Sequence, residues 1–228
     1  MYLTHSPSVA TTGLIMCYDA ANPRSYAGSG TTINDMSGGS VNGTLTNGPT
    51  YNSANLGSIS FDGIDDFILT NTNFPTLSTE WTVDCWCKPG TSQVTYADIW
   101  GNHGGGAPNG FVMQQNVNTL NQYYVAFGNG STYFVTSNIG VTASVWNHVV
   151  AVKNSASIIA YINGVVVTND SLVGTMAASP QNFMVASGVS GGGRNWNGSV
   201  ASIKVYNRAL SAAEVTQNFN ALQGRYGI

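Results

Sequence analysis

Six Asn-Gly dipeptides punctuate this chain, and they constrain its fold more than any other feature of the sequence. Asn-Gly between apolar segments is the strongest short-range signal of a β-hairpin, because both residues accept the positive φ angles of a two-residue turn. Two of the six are flanked by convincing strands, in "SIIAYINGVVVT" around Asn163 and "QYYVAFGNGSTYFVT" around Asn129. The sequence therefore predicts antiparallel sheets built from hairpins. The six pairs begin at Asn42, Asn47, Asn109, Asn129, Asn163 and Asn197.

Short strand patterns recur along the rest of the chain. About a dozen such strands, separated by turn residues in a single chain of this length, are typical of an antiparallel sandwich or barrel. We predict an all-β fold, a two-sheet antiparallel β-sandwich, over residues 13–228, preceded by a flexible or docking N-terminal arm over residues 1–12 that lies outside the sandwich. The further strand candidates are 13–18, 58–62, 66–70, 80–88, 96–101, 110–115, 145–153, 182–187 and 198–206.

One helix is predicted near the C-terminus, in "YNRALSAAEV" and the residues that follow it. Ser211 and Glu214 have the spacing of a capping box, in which the hydroxyl and the carboxylate each accept a backbone N–H at the first turn. Val215, Phe219 and Leu222 follow at helical spacing and form one apolar stripe. The pattern predicts a short amphipathic helix that lies on an apolar surface.

Charged side chains are scarce, which excludes several classes of partner. Only 7% of the residues are charged, against roughly 25% in an ordinary globular domain. The seven basic residues are scattered and the net charge is −3, so we expect no nucleic-acid partner. No apolar run reaches the roughly 18 residues that span a bilayer, so we expect no membrane insertion. Arg24 is the first basic residue, so the N-terminus does not resemble a secretory signal.

Six segments, in their order and spacing, carry a family resemblance that covers residues 13 to 226. The chain resembles laminin-G-like jelly-roll domains of the concanavalin A-like lectin and glucanase superfamily. The resemblance implies two antiparallel sheets stacked face to face, with the last strand beside the first and the helix capping one end of the sandwich. The segments are "LIMCYDAANPRSY", "INDMSGGSVNGTLTNGPTY", "SISFDGIDDFI", "EWTVDCWCKP", "WNHVVAVKNSASIIAYINGVVV" and "GSVASIKVYNRALSAAEV".

A narrower resemblance concerns the wording "DAANPRSY", "GTLTNGPTY", "FDGIDDFI" and the ending "NFNALQGRYGI". These segments look like those of jelly-roll structural proteins of tailed phages, marine and cyanobacterial ones especially. This similarity implies a virion component that is assembled in the host cytoplasm and exposed outside after release.

Glycan hydrolysis is not expected, although the superfamily includes glucanases. That chemistry needs two carboxylates about 5 to 9.5 Å apart, one of them protonated. The chain has only two glutamates, Glu80 and Glu214, and the second belongs to the predicted helix cap. Asp65 and Asp66 are adjacent, so on a strand they would point to opposite faces. We therefore predict no enzyme and no catalytic residues.

Calcium is the one cofactor that the resemblance suggests, and none is required. Related domains bind the ion near the sandwich rim, and the oxygen ligands here would come from Asp35, Asp62, Asp65 and Asp66. In the final strand Ala201 and Ser202 occupy the positions where the family commonly has acidic residues. The alternative is that "FDGIDD" is an Asp-Gly turn joining two strands.

A sugar site would need an aromatic platform with amide and hydroxyl groups beside it. Three stretches have that composition: the Trp100 segment with "GGGAPNG", the tyrosine pair, and "GRNWNG". The alternative for most of these aromatics is a place in the core, and we assign Trp196 there. The candidate glycan-binding residues are Trp100, Asn102, His103, Tyr123, Tyr124, Arg194 and Asn195.

Two functional classes remain. The first is a non-enzymatic phage virion surface protein, a head decoration or a tail or fibre adhesin. It would bind other virion proteins, form a homo-oligomer and contact host-surface glycans. The second is a free carbohydrate-binding module or lectin of a bacterium. We favour the first, because the chain shows neither a signal peptide nor a catalytic domain.

Overall fold

A computed structural model describes residues 8–71, 77, 79–104, 108–189 and 193–228. Within that part of the chain two antiparallel sheets stack on each other. The first contains β1 (Leu14–Asp19), β4 (Thr50–Asn52), β5 (Ser58–Asp62), β7 (Trp81–Pro89), β13 (Asn147–Lys153), β14 (Ser157–Ile162), β15 (Val165–Ser171) and β17 (Asn197–Tyr206). The second contains β2 (Thr32–Ile33), β3 (Gly43–Thr46), β6 (Phe67–Thr70), β8 (Asp98–Gly101), β9 (Phe111–Gln115), β10 (Gln122–Gly128), β11 (Tyr133–Val135), β12 (Ile139–Gly140) and β16 (Met184–Val185).

Strand order follows the resemblance. The first sheet runs β15-β14-β13-β7-β17-β5-β4, and the second runs β11-β10-β9-β8-β16-β6-β3-β2, with β12 beside β10. The last strand, β17, pairs with the first along Tyr18 and Ile203. The predicted all-β sandwich with one C-terminal helix, α1 (Ala212–Tyr226), is confirmed. A 3₁₀ turn covers Ala54–Leu56, and no helix of the described residues is long and apolar enough to cross a bilayer.

Both predicted hairpins are present. Asn163 and Gly164 have φ angles of 51° and 79°, as a turn of two positive-φ residues requires, and they join β14 to β15. The second hairpin joins β10 to β11, where the facing rings of Phe127 and Phe134 stack with their centroids 4.8 Å apart. Each of these two sequence signals therefore places one edge strand, β15 in the first sheet and β11 in the second.

The core lies between the sheets and is rich in aromatic side chains. Trp81 of the first sheet meets Trp100 of the second edge to face, with centroids 6.4 Å apart, and its ring lies 4.8 Å from that of Phe111. Trp196 is fully buried and donates to the Tyr123 hydroxyl over 2.8 Å. Because alternate strand residues point inward, the intervening residues of β8 to β11 form the outer face of the second sheet.

The resemblance implies that the helix caps one end of the sandwich, and this expectation is wrong. The helix lies across the outer face of the first sheet. That face carries apolar side chains of β7, β13 and β17, which need cover. Val215 packs in one cluster with Val150 and Tyr206, and Phe219 packs beside Trp86 in another. The predicted capping box of α1 is confirmed, since the side chain of each partner accepts the other's backbone N–H.

A buried polar cluster lies beneath the helix. Asp84 of β7 is fully buried, with Lys204 Nζ 3.3 Å from one carboxylate oxygen and His148 Nε2 3.1 Å from the other. Burial alone would raise the pKa of Asp84, but Lys204, His148 and a hydrogen bond from Asn218 hold it well below its usual range. The cluster therefore keeps an ionised carboxylate at the interface between helix and sheet.

The predicted N-terminal arm, residues 1–12, falls partly outside the described residues, which begin at residue 8. Ala10 is buried; its N–H donates to Asn218 Oδ1 over 2.7 Å, and its carbonyl accepts from the Tyr206 hydroxyl over 3.0 Å. Ala10 therefore anchors the described part of the arm on the helix and the last strand of its own chain.

Candidate functional site

A cavity of about 180 Å³ opens on the outer face of the second sheet, away from the helix. Its floor comes from β9, β10 and β11, and its walls come from the segments after β8 and before β17. The lining mixes aromatic, amide, guanidinium and aliphatic groups. These residues are His103, Val112, Gln114, Tyr124, Ala126, Tyr133, Val135 and Arg194.

Two parallel rows of cross-strand neighbours build the floor. One row is polar: Asp98 of β8 pairs with Gln114 of β9, and Gln114 pairs with Tyr124 of β10. The adjacent row is apolar, running from Val112 through Ala126 to Val135. Residues directly opposite on one face of an antiparallel sheet contact one another, so strand register alone sets the two rows side by side. The floor therefore presents a polar row of side chains directly beside an apolar row.

The polar row is joined by hydrogen bonds. The Tyr124 hydroxyl donates to Gln114 Oε1, and Gln114 Nε2 donates to Asp98 Oδ1 over 2.6 Å. The other carboxylate oxygen of Asp98 lies 3.2 Å from His103 Nε2. Burial raises the pKa of Asp98, against the opposing effects of His103, Gln114 and Arg194. Asp98 is therefore the buried end of the polar row and holds Gln114 and His103 in place.

Arg194 and Tyr133 form opposite parts of the wall. The Arg194 carbonyl accepts the Asp98 N–H over 2.9 Å, which fixes its backbone beside β8. Its guanidinium carbon lies 5.4 Å from the ring centroid of Tyr96, and its Nη1 lies 3.3 Å from His103 Nε2. Tyr133 lies on the edge strand with 37% of its surface exposed. An aromatic ring and a cation thus both face the cavity.

The environment changes the acidity of the tyrosine hydroxyls. Burial raises the pKa of Tyr124 to about 12; nearby Asp98 and Tyr96 add to the rise, and Arg194 opposes it. Burial likewise raises the pKa of Tyr133, again opposed by Arg194. Both phenols therefore remain neutral hydrogen-bonding groups at physiological pH.

Three of the seven predicted glycan-binding residues meet in this cavity: His103, Tyr124 and Arg194. Asn102 is buried, and its Oδ1 accepts the Phe111 N–H over 3.1 Å. Asn195 instead donates to the Ile64 carbonyl over 2.5 Å. The side chains of Asn102 and Asn195 therefore hydrogen-bond to backbone groups and do not line the cavity.

The other two predicted residues, Trp100 and Tyr123, belong to the core and offer no platform to a ligand. Strict alternation would put Trp100 on the same face as Asp98. A β-bulge between these two residues shifts the register, so that Ile99 and Trp100 both turn inward. Tyr123 is the inward neighbour of Tyr124, because successive residues of β10 point to opposite faces.

Sequence reasoning missed the floor and one wall of the cavity. Gln114 and Tyr133 lie in predicted strand segments, and no local motif marks them as ligand contacts. Their shared face becomes visible only when β9, β10 and β11 are placed in register. Alternation within "FVMQQ" and "YFV" does separate them from the core residues Met113 and Phe134, and that was the available signal.

The predicted calcium ligands divide into two places. Asp62, Asp65 and Asp66 each offer an oxygen within 4.8 Å of the others. Asp62 Oδ1 also accepts the Ile64 N–H over 2.8 Å, so these residues form the Asp-Gly turn that joins β5 to β6. Asp35 is not in this group; its carboxylate accepts N–H groups of its own loop and of Cys17. Calcium binding by the three aspartates stays a prediction.

The sequence profile described as the concanavalin A-like lectin/glucanases superfamily matches residues 61–216, which is more than half of the chain. The chain belongs to this superfamily. No curated protein sequence is significantly similar to this superfamily member.

Solved structures agree with the superfamily fold. The binding domain of Paraclostridial Mosquitocidal Protein 1 is similar, with a TM-score of 0.72, 15% identity and coverage of 92% of this chain. This chain spans about half, 52%, of that domain. A second similar structure is domain 4 of AbnA, an extracellular arabinanase of Geobacillus stearothermophilus, solved with arabinotriose. Its TM-score is 0.66 and its identity is 16%, with coverage of 90% of this chain and 97% of that domain. The binding domain of botulinum neurotoxin DC in complex with SialylT has a TM-score of 0.73 and 12% identity, with coverage of 94% and 52%.

Proposed function

We propose that this protein is a carbohydrate-binding module and that its site is the cavity on the outer face of the second sheet. The observation that carries the proposal is the pair of adjacent rows in the floor: Asp98–Gln114–Tyr124 beside Val112–Ala126–Val135. A sugar ring has apolar C–H faces and a rim of hydroxyl groups. The apolar row suits the C–H face, and the amide and phenol of the polar row suit the hydroxyl groups.

The size and walls of the cavity support the same ligand class. Its volume of about 180 Å³ leaves room for a small ligand. Tyr133 presents an exposed ring at one wall, and such amphipathic rings suit ligands with both apolar and polar parts. A saccharide chain could continue past the open edge at β11.

Similar structures support binding as the activity. The AbnA domain was solved with arabinotriose, and the neurotoxin domain is a binding domain solved with SialylT. The cavity also lacks the pair of accessible carboxylates that a glucanase needs. No carboxylate occurs among its described lining residues, and Asp98 is fully buried behind them. We therefore infer that the module binds glycans and does not cleave them.

The test is glycan binding by Tyr133→Ala. This variant removes the exposed wall ring, and we expect affinity for a glycan identified on an array to fall about tenfold, equivalent to roughly 1.4 kcal/mol. Val165→Ala is the matched control, because it removes a 66% exposed apolar side chain from β15 of the other sheet. Calorimetric titration of both variants provides the comparison. Equal affinities of the wild type and Tyr133→Ala would contradict a site at this cavity.

We infer further that the module is displayed on a phage particle, as a head decoration or a tail or fibre adhesin. The resemblance to tailed-phage jelly-roll proteins and the sparse charge support this location. In this view it assembles in the host cytoplasm with other virion proteins, as a homo-oligomer, and meets host-surface glycans after release. The alternative is a free bacterial carbohydrate-binding module.

Density-gradient sedimentation of a native lysate distinguishes the two locations. We expect mass spectrometry to find the chain at fixed stoichiometry in the band of intact particles. Recovery only among soluble proteins would overturn the virion proposal and favour the free module. Neither result bears on the cavity, which the Tyr133 variant tests separately.

A further inference from the structure

We infer that the cavity selects sugars that carry a carboxylate, the class of uronic and sialic acids, and that Arg194 recognises this group. The inference rests on the proposed carbohydrate-binding function and specifies its ligand. It starts from the Arg194 guanidinium, which lines the cavity and makes no direct salt bridge with the described acidic residues.

Arg194 has no carboxylate partner within the protein. All ten acidic residues of the chain lie in its described part, and none places an oxygen within 4 Å of the Arg194 guanidinium. In contrast, Arg208 pairs with Glu214 at 2.5 Å, and Arg225 pairs with Asp19 at 2.9 Å. Arg194 differs from these two arginines because it lines the cavity without a salt bridge, so a ligand carboxylate could pair with it there.

The described residues that line the cavity also favour a negatively charged ligand group. It contains the Arg194 guanidinium, a histidine, an amide and two phenols, and no acidic side chain. The nearest carboxylate, that of Asp98, is completely buried, and its two oxygens are engaged by Gln114 and His103. A ligand carboxylate would therefore meet hydrogen-bond donors and a cation, without direct repulsion from the cavity surface.

His103 Nε2 lies between the two groups, 3.2 Å from Asp98 Oδ2 and 3.3 Å from Arg194 Nη1. In the tautomer that carries the proton on Nε2, this nitrogen donates to Asp98 and cannot accept from Arg194. A ligand carboxylate can take over Nη1 while His103 keeps its contact with Asp98. The planar guanidinium fork matches a carboxylate in a bidentate arrangement.

The experiment compares acidic ligands with neutral counterparts: the two uronide pairs differ only at C6, and the third pair differs by a sialic acid residue. Calorimetric titration uses methyl glucuronide against methyl glucoside, methyl galacturonide against methyl galactoside, and sialyllactose against lactose. We expect the wild type to bind at least one acidic member at least tenfold more tightly than its neutral counterpart. The preference should shrink at high salt, because screening weakens the charge interaction.

Variants of Arg194 identify the recognising group. Arg194→Gln should remove the tenfold preference, and Arg194→Lys should keep part of it. Arg24→Gln is the matched control, because it removes the same charge from an exposed arginine elsewhere. Thermal unfolding of each variant checks that the fold is intact; if Arg194→Gln unfolds, Arg194→Lys alone carries the comparison.

Two different results separate this inference from the function on which it rests. Equal binding of acidic and neutral members, or a preference that persists in Arg194→Gln, overturns recognition by Arg194 and leaves glycan binding intact. An unchanged affinity of Tyr133→Ala overturns the glycan site itself. Binding to neutral sugars alone also overturns the inference.

Discussion

Asn218 of the C-terminal helix donates a hydrogen bond of 2.8 Å to the buried carboxylate of Asp84 in the first sheet. The same amide group lies 3.1 Å from the Tyr206 hydroxyl, and its oxygen accepts the Ala10 N–H. One helical side chain therefore connects the helix, two central strands and the N-terminal segment. Because all of these groups are buried, water cannot replace the amide if it is removed.

Asn218→Ala should lower the free energy of unfolding by about 2 to 3 kcal/mol, because it leaves a buried carboxylate and a buried N–H with fewer partners. Asn220→Ala, an exposed asparagine of the same helix, should change it by less than about 0.5 kcal/mol. Urea denaturation at neutral pH measures both values. Because Asn→Ala improves helix propensity at both positions, a loss in Asn218→Ala no larger than that in Asn220→Ala would contradict a stabilising role for the buried network.

Acid sensitivity should depend partly on the helix cap. The Arg208 hydrogen bonds, followed by the Ser211 N–H, lower the pKa of Glu214 to about 2. Its unfolded value is near 4.3, so the carboxylate contributes stability that is complete above about pH 5 and is lost as the pH falls toward 2.

Glu214→Gln should therefore destabilise the protein by about 1 kcal/mol at pH 7 and flatten the stability profile between pH 5 and pH 2. The exposed Glu80→Gln serves as the control. Unfolding curves at a series of pH values provide the measurement. A profile of Glu214→Gln parallel to that of the wild type would show that the capping carboxylate is not a source of the acid sensitivity.

Stability should separate the core tryptophan from the cavity tyrosine. Trp100 is fully buried against Trp81 and Phe111, so Trp100→Ala should cost about 3 to 5 kcal/mol. Tyr133→Ala should cost less than about 1 kcal/mol, since its side chain is partly exposed on an edge strand. Thermal unfolding monitored by circular dichroism compares them. A small loss for Trp100→Ala would contradict the inward turn at the bulge.

The Asn163-Gly164 turn should tolerate no side chain at its second position. Gly164 has a φ of 79°, and an added Cβ would lie 3.3 Å from the Phe219 ring. Gly164→Ala should therefore cost about 1 to 2 kcal/mol from its left-handed backbone alone. Gly224→Ala in the helix should stabilise by about 0.5 to 1 kcal/mol, because a Cβ there meets open space. Opposite signs in denaturant titrations would confirm both structural assignments.

Local sequence signals predicted the elements well, because hairpins and helix caps depend on neighbouring residues. The Asn163-Gly164 hairpin and the Ser211 capping box are examples. The cavity depends on register between strands distant in sequence, so alternation could place Gln114 and Tyr133 outside the core but no local motif marked them as ligand contacts. A single β-bulge turns Trp100 into the core, and the alternation of residues along a strand does not reveal a bulge. The position of α1 depended on which sheet face lacked cover, which is also a tertiary property.

The helix covers one outer face of the sandwich, and the cavity opens on the other. Tyr226 stacks on Trp86 at 4.2 Å, which brings the chain end at Ile228 to the face opposite the cavity. A linker joined at Ile228 would leave from the rear of the module. Copies immobilised through that end on a sensor chip or a nanoparticle would all present their cavities outward. Weak single-site binding could then add up to avidity on a glycan-coated surface.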